Sequence, residues 1–297
     1  MMRILLFLGT NIAVLIVISL VFRLFGLDSA LQAGGGINMT SLLVMAAIIG
    51  FSGSLISLFL SKFMAKRSMG VQIIDQPTTP FEHWLLDTVA RQAQQVGIQM
   101  PEVGIFDTPD PNAFATGWNR NAALVAVSTG LLQTMTKDEV EAVIGHEISH
   151  VANGDMVTLA LIQGVVNTFV VFLSRIIGSL VDSALRGPND ERSGPGIGYF
   201  ITSMIAEILL SFLATMIVMW FSRYREFHAD TGGARLTSRR QMADALRALQ
   251  RIHEPRDLPA GEFAAFGISG RIGGGLQALF MSHPPLEQRI AALESGA

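Results

Sequence analysis

The sequence contains no cysteine, and only 15% of its 297 residues are charged. Without cysteine the chain can form no disulfide bonds, which agrees with a reducing compartment. The charged share is well below the roughly one quarter that is usual in soluble domains. A net charge of −3 argues weakly against nucleic acid as a partner, because proteins that bind nucleic acid are usually basic. What the sequence has in excess is hydrophobic residues, which make up 50% of the chain.

The hydrophobic residues are concentrated in four long runs. A helix needs roughly 20 apolar residues to cross the hydrocarbon core of a bilayer, and each run is long enough. The alternative, a buried helix of a large soluble protein, weighs most for the third run, which contains Gln163 and Asn167. A cleaved signal peptide is the alternative for the first run, but its 19 uncharged residues exceed a usual signal-peptide core. We predict membrane spans at about residues 4–22, 38–60, 156–181 and 199–221.

Basic residues beside the spans predict the orientation of the chain. Lys62, Lys66 and Arg67 follow the second span, and Arg223 and Arg225 follow the fourth. Because basic residues accumulate on the cytoplasmic side of membrane proteins, both chain ends and both large polar segments are expected in the cytoplasm. The predicted organisation is a transmembrane hairpin, the first part of a soluble domain, a second hairpin and the second part of that domain, at residues 1–67, 68–155, 156–221 and 222–297.

The polar segments have the patterns of a domain that is mainly helical with some strands. The spacing of apolar residues predicts a helix over Phe81–Val96. Thr136 and Glu139 match the capping box that opens a helix, and Gly154 is its expected stop signal. Two short strands are predicted at Val103–Phe106 and Ala122–Val127.

The predicted helix that starts at Thr136 contains a His-Glu-x-x-His motif, from His146 to His150. Residues four apart lie on the same helical face one turn apart, so both imidazoles can bind one Zn²⁺. Glu147 is next to the first ligand and can accept a proton from water that the metal activates. The motif is short and also occurs by chance, so the third ligand decides the class of protein.

A distant segment offers that third ligand. The continuation His-x-x-Gly-x-x-His is absent, because Asn153 and Met156 stand where glycine and histidine would be needed. Glu226 and Asp230 lie four residues apart on one predicted helical face after the fourth span. Glu226 can bind the metal, while Asp230 can accept a hydrogen bond from the distal N–H of a ligand histidine. Two predicted spans separate His150 from Glu226, so both residues lie on the same side of the membrane, as a shared metal requires.

These motifs together resemble the HtpX family of bacterial membrane proteases, which are relatives of the CAAX prenyl proteases. The resemblance extends over nearly the whole chain, including both hairpins. The matching segments are Pro111–Gly117, Gly145–His150 with Gly154 and Asp155, Arg225–Asp230, and Ser282–Pro285.

The resemblance implies a multi-pass α-helical membrane protein with a mainly α (α+β), gluzincin-like metalloprotease domain in the cytoplasm. It implies one Zn²⁺ per chain, bound by His146, His150 and Glu226, with Glu147 as the general base. It also implies a protein of the bacterial inner membrane that cleaves misfolded or damaged membrane proteins on the cytoplasmic side during envelope stress. We therefore expect protein substrates, the lipid bilayer and other membrane quality-control proteases as partners, and no nucleic acid.

Two further motifs have candidate roles at the site. Small side chains alternate from Asn112 to Gly117, through Ala113, Phe114 and Ala115, which suits a sheet edge where an extended substrate adds as a strand. An ordinary loop is the alternative for this segment.

The second motif, His283-Pro-x-x-x-x-Arg289, matches a pattern of the prenyl-protease relatives, in which the histidine is thought to stabilise the oxyanion. The alternative is that His283 only caps or packs against the last helix. Arg289 is expected to pair with an acidic residue and hold the site together.

Three other functions are consistent with parts of the sequence. An intramembrane protease would hold its metal within the bilayer, but the charged residues that precede the motif do not suit hydrocarbon. A membrane scaffold with a structural, four-coordinate zinc would have no use for an ionised Glu147. A transporter would depend on Glu207 in the fourth span, which we expect instead to face the helix bundle and pair with Gln163 or Asn167.

Overall fold

The computed structural model describes three stretches of the chain, residues 38–185, 195–253 and 283–295. The predicted first span, at residues 4–22, lies outside the described residues. The chain divides into two compact units. The first comprises Met1–Ile56 and Ala160–Val218, and the second comprises Ser57–Leu159 and Met219–Ala297.

The described residues form eight helices and four strands. In chain order they are α1 (Met39–Ser68), β1 (Gln72–Ile73), α2 (Pro80–Gln95), β2 (Glu102–Phe106), β3 (Ala113–Gly117), β4 (Ala123–Ser128), α3 (Thr129–Thr134), α4 (Lys137–Asn153), α5 (Asp155–Leu185), α6 (Ile197–Leu236), α7 (Arg239–His253) and α8 (Leu286–Ser295).

Three of these helices, α1, α5 and α6, are long and apolar enough to cross a membrane. Within the first unit they pack through small residues, as helices commonly do in bilayers. A Cβ atom on Gly50 of α1 would lie 2.6 Å from the backbone nitrogen of Thr168 on α5. A Cβ atom on Gly178 of α5 would lie 2.8 Å from the carbonyl oxygen of Tyr199 on α6. Larger side chains at these glycines would separate the helices.

The partner expected for Glu207 is wrong. Glu207 lies 3.7 Å from the guanidinium of Arg175, while Gln163 and Asn167 hydrogen-bond to each other at 2.7 Å. Gln163 and Asn167 are four residues apart on α5, so each satisfies the other within its own helix. Arg175 is one helix away from Glu207, a pairing that local sequence patterns do not indicate.

The second unit contains a four-stranded sheet with the order β1-β2-β4-β3. Strand β2 runs parallel to β4, and the outer strands β1 and β3 are antiparallel to their neighbours. Every residue of the central strand β4 is buried. The two strands predicted from the sequence are β2 and β4. Strand β3 therefore forms one edge of the sheet, with no strand on its outer side among the residues described.

Helix α4 packs in the core of this unit and begins as the sequence predicts. The Thr136 side chain accepts a hydrogen bond from the backbone of Glu139, and the Glu139 side chain binds back to the Thr136 backbone. The helix ends at Gly154 with a left-handed backbone (φ = 67°), which a residue with a side chain rarely adopts. Ile144 and Ile148 are fully buried on the inner face of α4. The core thus fixes the rotation of the helix about its axis.

Candidate active site

Helix α4 brings the two histidines of the motif together. The Nε2 atoms of His146 and His150 lie 3.1 Å apart, and their rings meet edge to face. Helix α6 supplies Glu226, whose carboxylate oxygens lie 3.5 Å from Nε2 of His146 and 3.3 Å from Nε2 of His150. One ligand atom from each of the three residues lies within 4.8 Å of the other two. The structure thus brings together the three predicted metal ligands.

Each histidine is oriented by a carboxylate on its far side. Nδ1 of His146 lies 2.9 Å from Oδ1 of Asp230, and Nδ1 of His150 lies 2.7 Å from Oδ2 of Asp155. A proton on each Nδ1 would be donated to these carboxylates, which leaves both Nε2 lone pairs directed at Glu226. With neutral imidazoles, the two Nε2 atoms and the Glu226 carboxylate are then three acceptors that converge on one point. Such acceptors repel one another unless positive charge lies between them, so the arrangement fits a bound metal ion or, in its absence, bound protons.

The protonation equilibria of these groups agree with that conclusion. Burial lowers the pKa of His150, but hydrogen bonds to Asp155 and Glu226 outweigh it and raise the pKa to about 10. Burial likewise opposes hydrogen bonds to Asp230 and Glu226 at His146, where the net effect also raises the pKa. Burial raises the pKa of Glu226, yet contacts with both histidines hold it well below its usual range. Without a metal, the cluster therefore binds protons.

Two arginines neutralise the carboxylates that orient the histidines. Arg289 is buried and donates from Nε and Nη2 to the two oxygens of Asp230, at 2.8 and 2.6 Å. Its Nη1 lies 3.0 Å from Oε2 of Glu226. Arg225 donates from Nε to Oδ1 of Asp155 at 2.7 Å. Paired geometry of this kind is the strong form of a charge-assisted hydrogen bond and fixes the carboxylates in place.

Two further predicted residues, Glu147 and His283, lie at the exposed side of the cluster. Glu147 is only partly buried, although both of its neighbours on α4 are buried. Its charge is close enough to help raise the pKa of His150. His283 precedes α8 with 61% of its side chain exposed, and its Nδ1 lies 2.7 Å from Oε2 of Glu226. His283 therefore contacts a metal ligand and also faces solvent.

The predicted substrate segment is the edge strand β3, which contacts α4. Ala113 and Ala115 pack against the core of the unit, and the Phe114 ring lies 5.4 Å from the ring of Phe106. Asn112 is tied to the end of β4, because its backbone N–H donates to Oγ of Ser128 at 2.9 Å. The strand is thus held beside α4, and no described residue pairs with its outer edge as a further strand.

Sequence reasoning did not identify the glycines that allow α6 to approach α4. A Cβ atom on Gly233 would lie 2.9 Å from the backbone nitrogen of His146, and one on Gly232 would collide with the Ser149 side chain. A Cβ atom on Gly145 would lie 3.4 Å from Gly233. The Gly232-Gly233 pair, so soon after Asp230, was the available signal. A larger side chain at Gly233 would push α6, which carries Glu226, away from His146.

Asp155 was identified from the sequence only as part of a motif, without a role at the site. The structure makes Asp155 the hydrogen-bond partner of His150. The signal was its position one residue after the helix stop at Gly154, which returns the chain toward the last turn of α4.

Comparison with known proteins agrees with this geometry. The model of peptidase family M48 matches residues 81–297. Protease HtpX of Thioalkalivibrio sulfidiphilus is 57% identical over 296 residues, which is 99% of each chain. Protease HtpX of Pseudoalteromonas atlantica is 59% identical over 297 residues, all of both chains. The crystal structure of S. mikatae Ste24p has the same fold, with a TM-score of 0.59 at 18% identity over 95% of this chain and 67% of that one.

The fold and the site define a membrane metallopeptidase, a hydrolase that acts on proteins. The chain belongs to the HtpX proteases of peptidase family M48. The family and the fold class predicted from the sequence are thereby confirmed.

Proposed function

We propose that the chain is a zinc-dependent endopeptidase of the bacterial inner membrane, with one Zn²⁺ bound by His146, His150 and Glu226. The observation that carries this proposal is the convergence of two imidazoles, each oriented by a carboxylate on its far side, and one buried carboxylate on a single point. Two nitrogen ligands and one oxygen ligand suit zinc, and a site with three protein ligands has an open position for chemistry. When bound, zinc polarises the scissile carbonyl and makes water more acidic.

Glu147 is the proposed general base. It is the neighbour of His146 on α4 and remains partly exposed, so its carboxylate can accept the proton of the attacking water. The same carboxylic acid can then donate that proton to the departing amine. His283 is proposed to donate a hydrogen bond to the developing oxyanion, because its exposed imidazole already lies at the edge of the ligand cluster.

The edge strand β3 is the proposed substrate site. An extended peptide would pair with the open edge of β3, through residues 112–115, and so lie beside the catalytic helix. Backbone pairing is largely independent of side-chain identity. This mode therefore suits a protease that acts on many unfolded segments.

The proposed substrates are misfolded or damaged membrane proteins, cut on the cytoplasmic side. Basic residues beside the predicted spans support that orientation and the proposed four-part organisation into two hairpins and a divided protease domain. His150 is six residues before the third predicted span, and Glu226 is five residues after the fourth ends. At about 1.5 Å per helical residue, both ligands would lie within roughly 10 Å of the membrane surface. Loops and unfolded juxtamembrane segments would reach such a site most easily.

Replacing Glu147 with glutamine tests the mechanism. The amide keeps the shape of the side chain but cannot accept the proton, so proteolysis of an unfolded protein in detergent should be abolished while zinc content stays near one per chain. Asp138→Asn is the matched control, because Asp138 is an exposed acidic residue on the same helix, two turns before the motif. Activity of E147Q at the wild-type rate, from a preparation free of other proteases, would remove Glu147 from the mechanism.

A further inference from the structure

The last turns of α1 have an exposed apolar face. Phe59, Leu60, Phe63 and Met64 are each between 47% and 62% exposed, and they follow one another along one side of the helix. These residues belong to the same compact unit as the sheet. Because α1 is long and apolar enough to cross a membrane, this face continues the surface that the helix would present to lipid. The apolar face therefore extends past Lys62, the first charged residue of α1.

The two lysines of these turns lie on a different face and are paired. Nζ of Lys62 lies 2.9 Å from Oε1 of Glu102, and Lys66 also pairs with Glu102. Glu102 is the first residue of β2, and the strand register aligns it with Leu124 and then with Thr116, near the end of β3. The pairing thus attaches α1 to the end of the sheet at which β3 finishes.

Exposed apolar side chains are found at this same end of the sheet. Trp118 follows β3 directly, is 48% exposed, and has its ring 5.9 Å from that of Phe59. The backbone N–H of Gln99 donates to Oδ1 of Asn121 at 3.3 Å, which joins the turn after β3 to the segment before β2. Met100 in that segment is 45% exposed. Trp118 and Met100 are therefore neighbours of an apolar face that continues a candidate membrane span.

We propose that Trp118, Met100 and the Phe63–Met64 face of α1 form a surface that inserts into the interfacial region of the lipid bilayer. Tryptophan prefers this region because its ring is apolar while its N–H can remain hydrated. The exposed Arg120 beside Trp118 suits anionic headgroups. The lysines of α1 do not oppose insertion, because Glu102 pairs with both and offsets one of their two charges, and the positive charge that remains suits anionic headgroups.

This surface has a consequence for the substrate strand, which rests on the function proposed above. Trp118 directly follows Gly117, the last residue of β3. Insertion of Trp118 places that end of the strand at the lipid surface. An extended segment that emerges from the bilayer would then meet the open edge of β3 without first crossing water.

Tryptophan fluorescence tests the proposal, because the chain has only three tryptophans. A variant that keeps Trp118 carries the substitutions Trp84→Phe and Trp220→Phe. It is reconstituted into vesicles of phosphatidylcholine brominated either near the headgroup or near the end of the acyl chain. The emission of Trp118 should fall strongly with the shallow bromine label and much less with the deep label.

The other two tryptophans provide matched controls. A variant that keeps only Trp220, which is 63% exposed on the membrane helix α6, should be quenched by bromolipid. A variant that keeps only Trp84, which packs against the core of the second unit, should not. Each variant is first required to have the melting midpoint of the wild type in detergent, so that lost quenching cannot come from unfolding.

Three results would overturn the proposal. Quenching of Trp118 by aqueous iodide but not by bromolipid would show that the surface faces water. Quenching by neither would show that protein, such as a second copy of the chain, covers it. Equal loss of emission by bromolipid in the Trp118 and Trp84 variants would show that Trp118 contacts lipid no more than a residue packed against the protein core does. None of these measurements depends on catalysis, so they can be made on the E147Q protein, and their failure is separate from failure of the proposed protease mechanism.

Discussion

Replacing Asp230 with asparagine tests whether the buried carboxylates around the ligands determine metal affinity. Asp230 is 2% exposed, binds Arg289 through two hydrogen bonds of 2.8 and 2.6 Å, and lies 2.9 Å from Nδ1 of His146. Asparagine keeps the shape of the side chain but removes its charge. The buried Arg289 then loses one of its two acidic partners, and His146 loses the carboxylate that orients it.

The structure sets the expected magnitude of both effects. Loss of a carboxylate that orients a ligand histidine typically costs about 10–100-fold in metal affinity. Breaking a buried ion pair typically costs about 3–5 kcal/mol. Because Glu226 remains 3.0 Å from Arg289, we expect the lower end, about 3 kcal/mol in the free energy of unfolding of the metal-free protein.

Two measurements check this prediction. Zinc affinity is measured by competition with a chelator, and stability by the unfolding midpoint of the metal-free protein in detergent. Asp244→Asn is the matched control, because the Asp244 side chain is 42% exposed and pairs with Arg247. This variant should lose about 1 kcal/mol or less in free energy of unfolding and keep its zinc affinity. If D230N behaved like D244N in both measurements, the carboxylates around the ligands would not determine metal affinity.

Three other changes have expected outcomes. Glu226→Ala should lose zinc, and a metal content that stays at one per chain would show that another residue is the third ligand. Gly233→Ala should lower the free energy of unfolding by about 1–3 kcal/mol, because the added Cβ forces α6 away from His146. Gly53→Ala is the control and should not lower it, because a Cβ there meets nothing within 4 Å. Equal melting midpoints of the two variants would show that the close approach at Gly233 does not matter for stability. Because the pKa of His150 is raised from 6.5 to about 10, its contribution to metal-free stability is complete below pH 6.5 and is lost as pH rises toward 10, while zinc affinity should rise over that same range. A pH-independent apparent Kd for zinc would contradict the last of these.

The parts of the structure that were predictable from the sequence are those that local patterns encode. The start and end of α4 follow from the Thr136–Glu139 capping box and from Gly154, which act within one helical turn. The two histidines share a face because four residues nearly complete a turn. Glu226 was predicted over a long separation because it shares a helical face with Asp230, and the two predicted spans that separate it from His150 agreed with that choice.

The parts that were not predicted depend on contacts between distant segments. Asp155 binds both His150 and Arg225, and the second of these residues is 70 positions away in the sequence. Glu207 pairs with Arg175 on another helix, which no spacing rule within α6 could indicate. Strand β3 has small residues and few of the β-branched ones that favour strands, so it forms mainly because β4 provides a partner.

The charge balance of the buried cluster explains why two histidines and one divalent metal belong together. Four carboxylates and two guanidinium groups meet at the site, namely Glu147, Asp155, Glu226 and Asp230 with Arg225 and Arg289. Their net charge is −2 when all are ionised. Protonation of both imidazoles neutralises this charge, which agrees with the raised pKa values of His146 and His150 in the metal-free protein. One Zn²⁺ with two neutral imidazoles neutralises it equally. Zinc should therefore displace about two protons near neutral pH, and the charge of Glu147, the proposed general base, is part of the same balance.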